Sequence, residues 1–272
     1  MIGDINFELD SENFRIMRFL LSSFMRTDLL LTLVNSSSRL CSLRSNLGKS
    51  SATILHGVSE LEAFNLISKD SKYYCLSSKG FIYGLALDKL CKNLYIFQSN
   101  PEFWQNHFID GLPSEFVENA YLIKDSVYIC SDKLDMEKPI RDYFKNIKNS
   151  KSIKIILPIF SELYLEMILK TVGSDHDLEL IVDEEVFTSI KKSRYYRRII
   201  RLSKGGKIIL RKYIGDLNLF LTFSDEFMSL NLFDKDGFFD DSETIFNNTP
   251  DGVKWAEIMF DYFLDNSNVV VL

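Results

Sequence analysis

The chain has 272 residues, 46% of them apolar and 26% charged, enough to fill one or two cores and too hydrophobic for a disordered chain. No apolar run reaches the roughly 18 residues that a membrane-spanning helix needs, and Met1 to Leu9 carries acids with no basic stretch ahead of an apolar core, so a cytoplasmic protein without a secretory signal is expected. The net charge of −6 is unevenly spread: residues 1–14 carry −4, residues 15–80 carry +5 and residues 81–272 carry −7, so a basic segment is attached to an acidic body, a distribution compatible with contact to a polyanion through residues 15–80.

Glu12 to Ser22 has helical spacing, with Phe14, Met17 and Leu21 at i, i+3 and i+7. Thr27 to Val34 predicts a second helix, with Leu29 and Leu33 or Leu30 and Val34 on one face, broken by Asn35-Ser36-Ser37-Ser38. Leu40, Leu43 and Leu47 mark a short third helix, which Gly48 ends by permitting a positive φ. Ser50 is a natural N-cap for a fourth helix that buries Ile54, Val58 and Leu61. Gly57 inside this helix costs about 1 kcal/mol relative to alanine, and close approach of another helix would explain it. Leu66-Ile67 starts a strand, Asp70-Ser71 turns, and Tyr73 to Leu76 returns. Ser77 then caps a fifth helix through Gly80, Leu85 and Leu90.

Helices, a helix-turn-helix and a β-hairpin, in that order, predict a winged helix-turn-helix over residues 1–93. Leu40 to Leu76 resembles the archaeal and bacterial winged-helix regulators. In that arrangement the recognition helix lies in the major groove and its N-terminal half meets base edges. With Ile54, Val58 and Leu61 inward, Ser51, Ala52, Leu55 and His56 face out. Ser51 can bond a phosphate or a base, Ala52 and Leu55 can pack on thymine methyls, and His56 can donate to guanine or phosphate. Arg44, Lys49 and Lys72 are phosphate candidates, the last from the wing. As ordinary surface residues, each of these would simply be solvated.

After Leu90 the character changes. Phe103-Trp104, His107, Gly111, Leu112 and Pro113 read as an aromatic-rich connector, with Trp104 and His107 bracing the domain junction. Strands and helices then alternate: strand Ser126 to Cys130, helix Met136 to Ile147, strand Ser152 to Leu157, helix Glu162 to Leu169, strand Asp177 to Val182 and helix Glu184 to Lys191. A basic segment follows to Arg201, then strands Lys207 to Tyr213, Leu217 to Thr222 and Phe227 to Leu232, a turn at Asp236-Gly237, and a last helix Asp251 to Phe263 around a core Trp255. This predicts an α/β sensor domain over residues 94–272, parallel in its first half and antiparallel later. Ligands favour the C-terminal strand ends of such sheets, which nominates Pro158 and Phe160, Asp183 and Glu184, and Thr222 and Ser224. Asp183 and Ser161 would equally serve as helix caps.

Cys41, Cys75, Cys91 and Cys130 have no zinc-knuckle or redox spacing, and the chain has only three histidines, His56, His107 and His176, so neither a metal nor another cofactor is expected. No Gly-rich phosphate loop, nucleophile elbow or His-Glu-x-x-His motif is present.

The segments FWQNHFIDGLP, ILPIFSELYLEMIL, LELIVDEEVF, FSDEFMSLNLFDKDGFFD and KWAEIMFDYF resemble the sensor domain of winged-helix regulators of methanogenic archaea, the methanogenesis-regulatory type, in order and over nearly the whole chain. Phe108 stands where that pattern leads us to expect an acid. The resemblance implies a transcriptional regulator whose C-terminal domain perceives a signal, in this reading an unidentified small-molecule effector. The strand-helix-strand core also resembles the phospholipase D-like fold used as a sensor in sugar-responsive archaeal regulators. That enzyme class needs a lysine two residues after its nucleophilic histidine, and here Val58, Ile109 and Leu178 stand there, so no enzyme is expected. The competing readings are an enzyme with a DNA-binding appendage and a protein-interaction module that dimerises through its winged helix. A two-fold dimer on duplex DNA is expected, with Phe14, Met17 and Leu21 and the Ser78 to Leu90 helix at its contacts.

Overall fold

A computed structural model of the chain describes residues 12–150, 152–172 and 177–272; Met1 to Leu9 and His176 lie outside the described residues. The chain divides at Cys91/Lys92 into two units, each with its own core.

The first unit runs α1 (Glu12–Leu21), α2 (Phe24–Asn35), β1 (Ser38–Arg39), α3 (Leu40–Leu47), α4 (Ser51–Ala63), β2 (Ile67–Asp70) and β3 (Tyr73–Leu76), and α5 (Ser78–Ser99) begins in it. Local chemistry sets the ends. Ser23 Oγ caps α2 by accepting from Arg26 N, and Ser50 Oγ caps α4 by accepting from Thr53 N at 3.2 Å. Gly48 stops α3 at φ 63°, where a Cβ would be strained. Ile54, Val58 and Leu61 are buried as one stripe against Leu29, Leu30, Leu33 and Leu43. Both faces of α2 are therefore inward, since Leu29 and Leu30 are equally buried. Gly57 lets α2 approach: a Cβ there would lie 2.7 Å from Leu29 Cδ1 and 3.0 Å from Met25 Cγ. On α1 the buried pair is Ile16 and Leu20, while Phe14, Met17 and Leu21 are exposed, so the stripe with helical spacing faces away from this core. The short β1, not expected from the sequence, pairs Ser38 with Tyr74 and Arg39 with Tyr73, completing a three-stranded sheet in the order β1-β3-β2.

The second unit adds α6 (Pro101–Asn106), α7 (Ser114–Glu118), a 3-10 turn (Ala120–Ile123), β4 (Val127–Cys130), α8 (Lys138–Asn149), β5 (Ser152–Leu157), α9 (Glu162–Thr171), β6 (Asp177–Val182), α10 (Glu184–Lys192) and α11 (Tyr196–Lys204). There follow β7 (Ile208–Tyr213), β8 (Leu219–Phe223), β9 (Met228–Leu232), β10 (Glu243–Asn247), α12 (Pro250–Asp265) and β11 (Ser267–Val269). One mixed sheet has the order β11-β7-β6-β5-β8-β9-β10-β4. β5, β6 and β7 are parallel neighbours, and the other pairings are antiparallel. Alternation along the strands feeds two cores. Ile153, Ile155, Leu157, Leu178, Leu180 and Val182 pack with α8 to α11, while Ile156 and Ile181 pack with Trp255, Ala256, Met259 and Phe260 of α12.

Several expectations need correction. The aromatic connector is helical and belongs to this unit's core. Phe103 and Trp104 are buried, and Trp104 Nε1 donates to Ile96 O at 3.1 Å and to Tyr128 Oη at 3.0 Å. β4 does not join the parallel half; it pairs with β10 at the far edge, Cys130 opposite Glu243. The basic segment after Lys191 becomes α11, anchored by buried Ile199. β10 and β11 were not foreseen.

Candidate nucleic-acid interface

On α4 the inward stripe leaves Ala52, Thr53, Leu55 and His56 exposed, with Ser51 half-buried at the first turn. Leu55 is 42% exposed and the His56 side chain 79%. The start of α4 presents backbone N–H groups and the positive end of its dipole, which suits an anion. Arg44 and Lys49 are exposed just before it. His56 Nε2 lies 3.9 Å from Glu60 Oε1, but that carboxylate is already held by Arg26 Nη1 at 2.9 Å. The acid is thus largely neutralised within the fold. Arg26 is itself fixed over the Phe19 ring at 4.0 Å.

Lys72 is exposed at the wing tip, next to Ser71 at φ 56°. Two neighbouring cations escaped the sequence reading. Arg39 lies over the Tyr73 ring at 4.7 Å, and Lys69 lies near the Tyr74 ring at 5.7 Å. Both are exposed. Arg39 directly precedes α3 and is brought to the hairpin only by the pairing of β1 with β3, opposite Tyr73; Lys69 stands opposite Tyr74, on the other face of the hairpin.

The six pocket candidates of the second unit do not converge. Asp183 and Glu184 line a cleft of ≈ 330 Å³ with Lys212, Tyr213 and Asp216, beyond the C-terminal ends of β6 and β7. There Glu184 pairs with Lys212 Nζ at 2.6 Å, and Asp183 caps α10 by accepting from Val186 N at 2.8 Å. Burial pushes the Asp183 carboxyl up. Pro158 is buried and Phe160 exposed at the end of β5, outside the lining of that cleft. Thr222 and Ser224 lie at the opposite end of the sheet, because β8 runs antiparallel to β5 with Phe223 opposite Lys154. They are also engaged: Thr222 Oγ1 hydrogen-bonds Tyr143 Oη at 2.9 Å, and Ser224 Oγ accepts from Ser150 Oγ at 3.2 Å. A second cleft, ≈ 440 Å³, lies between α8 and α9 and is lined by Ile140, Phe144, Leu163 and Met167.

Two further features emerge only in three dimensions. An apolar groove of ≈ 660 Å³ runs between α1 and α5, lined by Met17, Leu21, Ile82, Tyr83, Leu87 and Leu90. In the second unit His107, Asp240 and Glu243 bring three potential ligand atoms within 4.8 Å of one another, which residue spacing could not reveal. Among the described residues, no helix is long and apolar enough to cross a membrane.

Comparison with known proteins follows the same division. The family described as methanogenesis regulatory protein FilR1, N-terminal domain, matches residues 14–95, and its middle domain matches residues 136–266. The chain is 27% identical over 255 residues to methanogenesis regulatory protein FilR1 of Methanothrix harundinacea (strain 6Ac), covering 90% of this chain and 56% of that protein. The chain thus spans about half the length of the curated relative it matches. Among solved structures, TrmBL2, an archaeal chromatin protein, aligns with a TM-score of 0.43 at 15% identity, over 96% of this chain and 100% of that one. The phosphatidylserine synthase of Haemophilus influenzae Rd KW20 aligns at 0.39 and 14% identity, over 53% of this chain and 39% of that one. Both scores are too low to bear on fold or chemistry, and the phospholipase D-like expectation gains no support from them.

Proposed function

The chain belongs to the family of methanogenesis regulatory proteins, and from that premise we propose that it is a DNA-binding transcriptional regulator reading duplex DNA with α4 and the β2–β3 wing. The observation that carries this reading is the two-sidedness of α4. One face is fully buried, while the other offers Ala52, Leu55 and His56 beside Ser51, Arg44 and Lys49. An exposed leucine next to small, polar and basic groups suits a groove containing thymine methyls and phosphates. Lys72 of the wing, with Arg39 and Lys69, would hold the flanking backbone. Residues 94–272 act as the sensor, taking a small effector at the Asp183–Glu184 cleft and shifting operator affinity by about 5- to 150-fold, the usual range of allosteric coupling. The α1–α5 groove serves as the contact of a homodimer, which one winged helix per half-site requires. No catalytic role is assigned, and the protein works in the cytoplasm.

The test is a titration of the full chain against an operator selected from random duplexes. His56→Ala and Ser51→Ala should each weaken specific binding by about 1–3 kcal/mol, the scale of a lost base contact. Equal binding by the double variant and the wild type would refute the assignment of α4 as the reading helix.

A further inference from the structure

We propose that His107, Asp240 and Glu243 form a divalent-cation site of the zinc class in the second unit. The inference starts at His107, which is 3% exposed. Its Nδ1 lies 2.7 Å from the Phe103 carbonyl oxygen. A carbonyl can only accept, so Nδ1 carries the proton. In the neutral ring Nε2 then presents a lone pair, and it points at Asp240 Oδ2, 3.2 Å away. Two acceptors face each other, and something positive must stand between them or on the ring. The Phe103 contact is the outer hydrogen bond that metal-bound histidines almost always make.

The remaining donors come from a different part of the chain. Glu243 brings a carboxylate oxygen within 4.8 Å of the atoms of His107 and Asp240. Cys130 is the strand partner of Glu243 but lies outside this group. The set is therefore one nitrogen and two carboxylates. Zinc bonds of about 2.0–2.2 Å to nitrogen and oxygen place tetrahedral ligand atoms roughly 3.3–3.5 Å apart, close to the His107–Asp240 separation. The imidazole disfavours calcium and magnesium, which take oxygen ligands.

The frame is built to hold these donors. Asn231, itself buried, donates from Nδ2 to the main-chain carbonyls of Asp240 at 3.3 Å and Glu243 at 2.7 Å. Asp240 Oδ1 accepts from Ser242 N at 2.8 Å, leaving Oδ2 toward His107. Asp240 and Glu243 are only half-buried, so an ion can enter from solvent.

The experiment uses the full chain, stripped with chelator and reloaded with zinc chloride. One zinc per chain should survive gel filtration, and Glu243→Gln should weaken retention at least tenfold, the scale on which even outer-shell changes act. Loaded with cobalt(II), the protein should show the visible bands of a four-coordinate site, three protein ligands and a water. Asp240→Asn should abolish those bands. Asp240 and Glu243 are half-buried and both replacements are isosteric, so the variants should keep the wild-type circular dichroism, whereas His107→Ala risks the core. No retained zinc would overturn the site and leave His107 and Asp240 as a hydrogen-bonded pair. Equal retention by wild type and Glu243→Gln, or a cobalt spectrum unchanged in Asp240→Asn, would overturn the ligand set.

Discussion

Gly80→Ala tests how the wing is fixed to the rest of the first unit. A Cβ at Gly80 would lie 1.9 Å from the Leu66 carbonyl oxygen and 2.8 Å from its carbon. Both are backbone atoms at the root of β2, so no side chain can swing aside. The same Leu66 oxygen accepts from Ser77 N at 3.0 Å, and Ser77 Oγ donates to Asn65 O at 2.6 Å while accepting from Gly80 N at 3.0 Å. The start of α5 and the base of the wing are therefore one knot. Alanine regains about 1 kcal/mol of helix propensity. Against this, overpacking costs about 1–3 kcal/mol and a broken buried hydrogen bond about 1–3 kcal/mol. The net loss should be about 1–5 kcal/mol, each kcal/mol lowering the melting of a small domain by roughly 4–8 °C. Gly57→Ala is the control, since its Cβ would meet side-chain atoms of Leu29 and Met25 and no backbone; its net effect should stay within about 1 kcal/mol once the propensity gain is counted. Both tryptophans, Trp104 and Trp255, belong to the second unit. Thermal unfolding of the full chain should thus lower the helix transition seen by circular dichroism while the tryptophan fluorescence transition holds its place. A Gly80→Ala protein that melts with the wild type, or above Gly57→Ala, would refute the knot.

Operator affinity should fall steeply between 50 and 200 mM salt, by roughly 10³-fold or more if six or more phosphates are contacted; a flat salt response in an anisotropy titration would contradict backbone contacts from Arg44, Lys49 and Lys72. The double variant Met17→Glu, Leu21→Glu, placed in the α1–α5 groove, should convert a dimer to a monomer in sedimentation velocity, and an unchanged sedimentation coefficient would remove that groove from the interface. Glu166 is held down to about 2 from the ordinary value of 4.5, first by its bond to Lys170 and then by Tyr195. Its folded pKa is depressed, so the stabilisation is present above pH 4.5 and is lost as pH falls toward 2. Glu166→Gln should flatten that stretch of the acid-unfolding curve, and a curve parallel to the wild type would show the pairing to be without effect.

Short-range chemistry explains why the first unit was legible. Gly48 stops a helix, Ser50 and Ser77 cap helices, Asp70-Ser71 turns a hairpin, and Ile54, Val58 and Leu61 recur at helical spacing. Each signal acts within a few residues, so one chain suffices to read it. The same holds for β5, β6 and α12, whose apolar runs and capping residues are local. Strand partnership is different, because it is chosen by what each face can bury against elements far along the chain. Nothing in Val127–Cys130 specifies β10 as its neighbour, and nothing in Leu219–Phe223 specifies an antiparallel run beside β5. That direction carried Thr222 and Ser224 away from the strand ends where a pocket was expected. The amphipathic reading of α1 was also ambiguous, since its sequence offers two apolar stripes and only packing against α2 decided that Ile16 and Leu20 go inward. Likewise His107 and Glu243 come together across more than a hundred residues, because the hairpin of β9 and β10 returns beside the end of α6. Sequence by itself settled most helices, caps and turns of the first unit, with β5, β6 and α12 of the second, through interactions between near neighbours; the tertiary structure alone settled which strands pair, which donors meet and that the connector and the basic segment coil into α6 and α11, because those choices belong to burial summed over the whole unit.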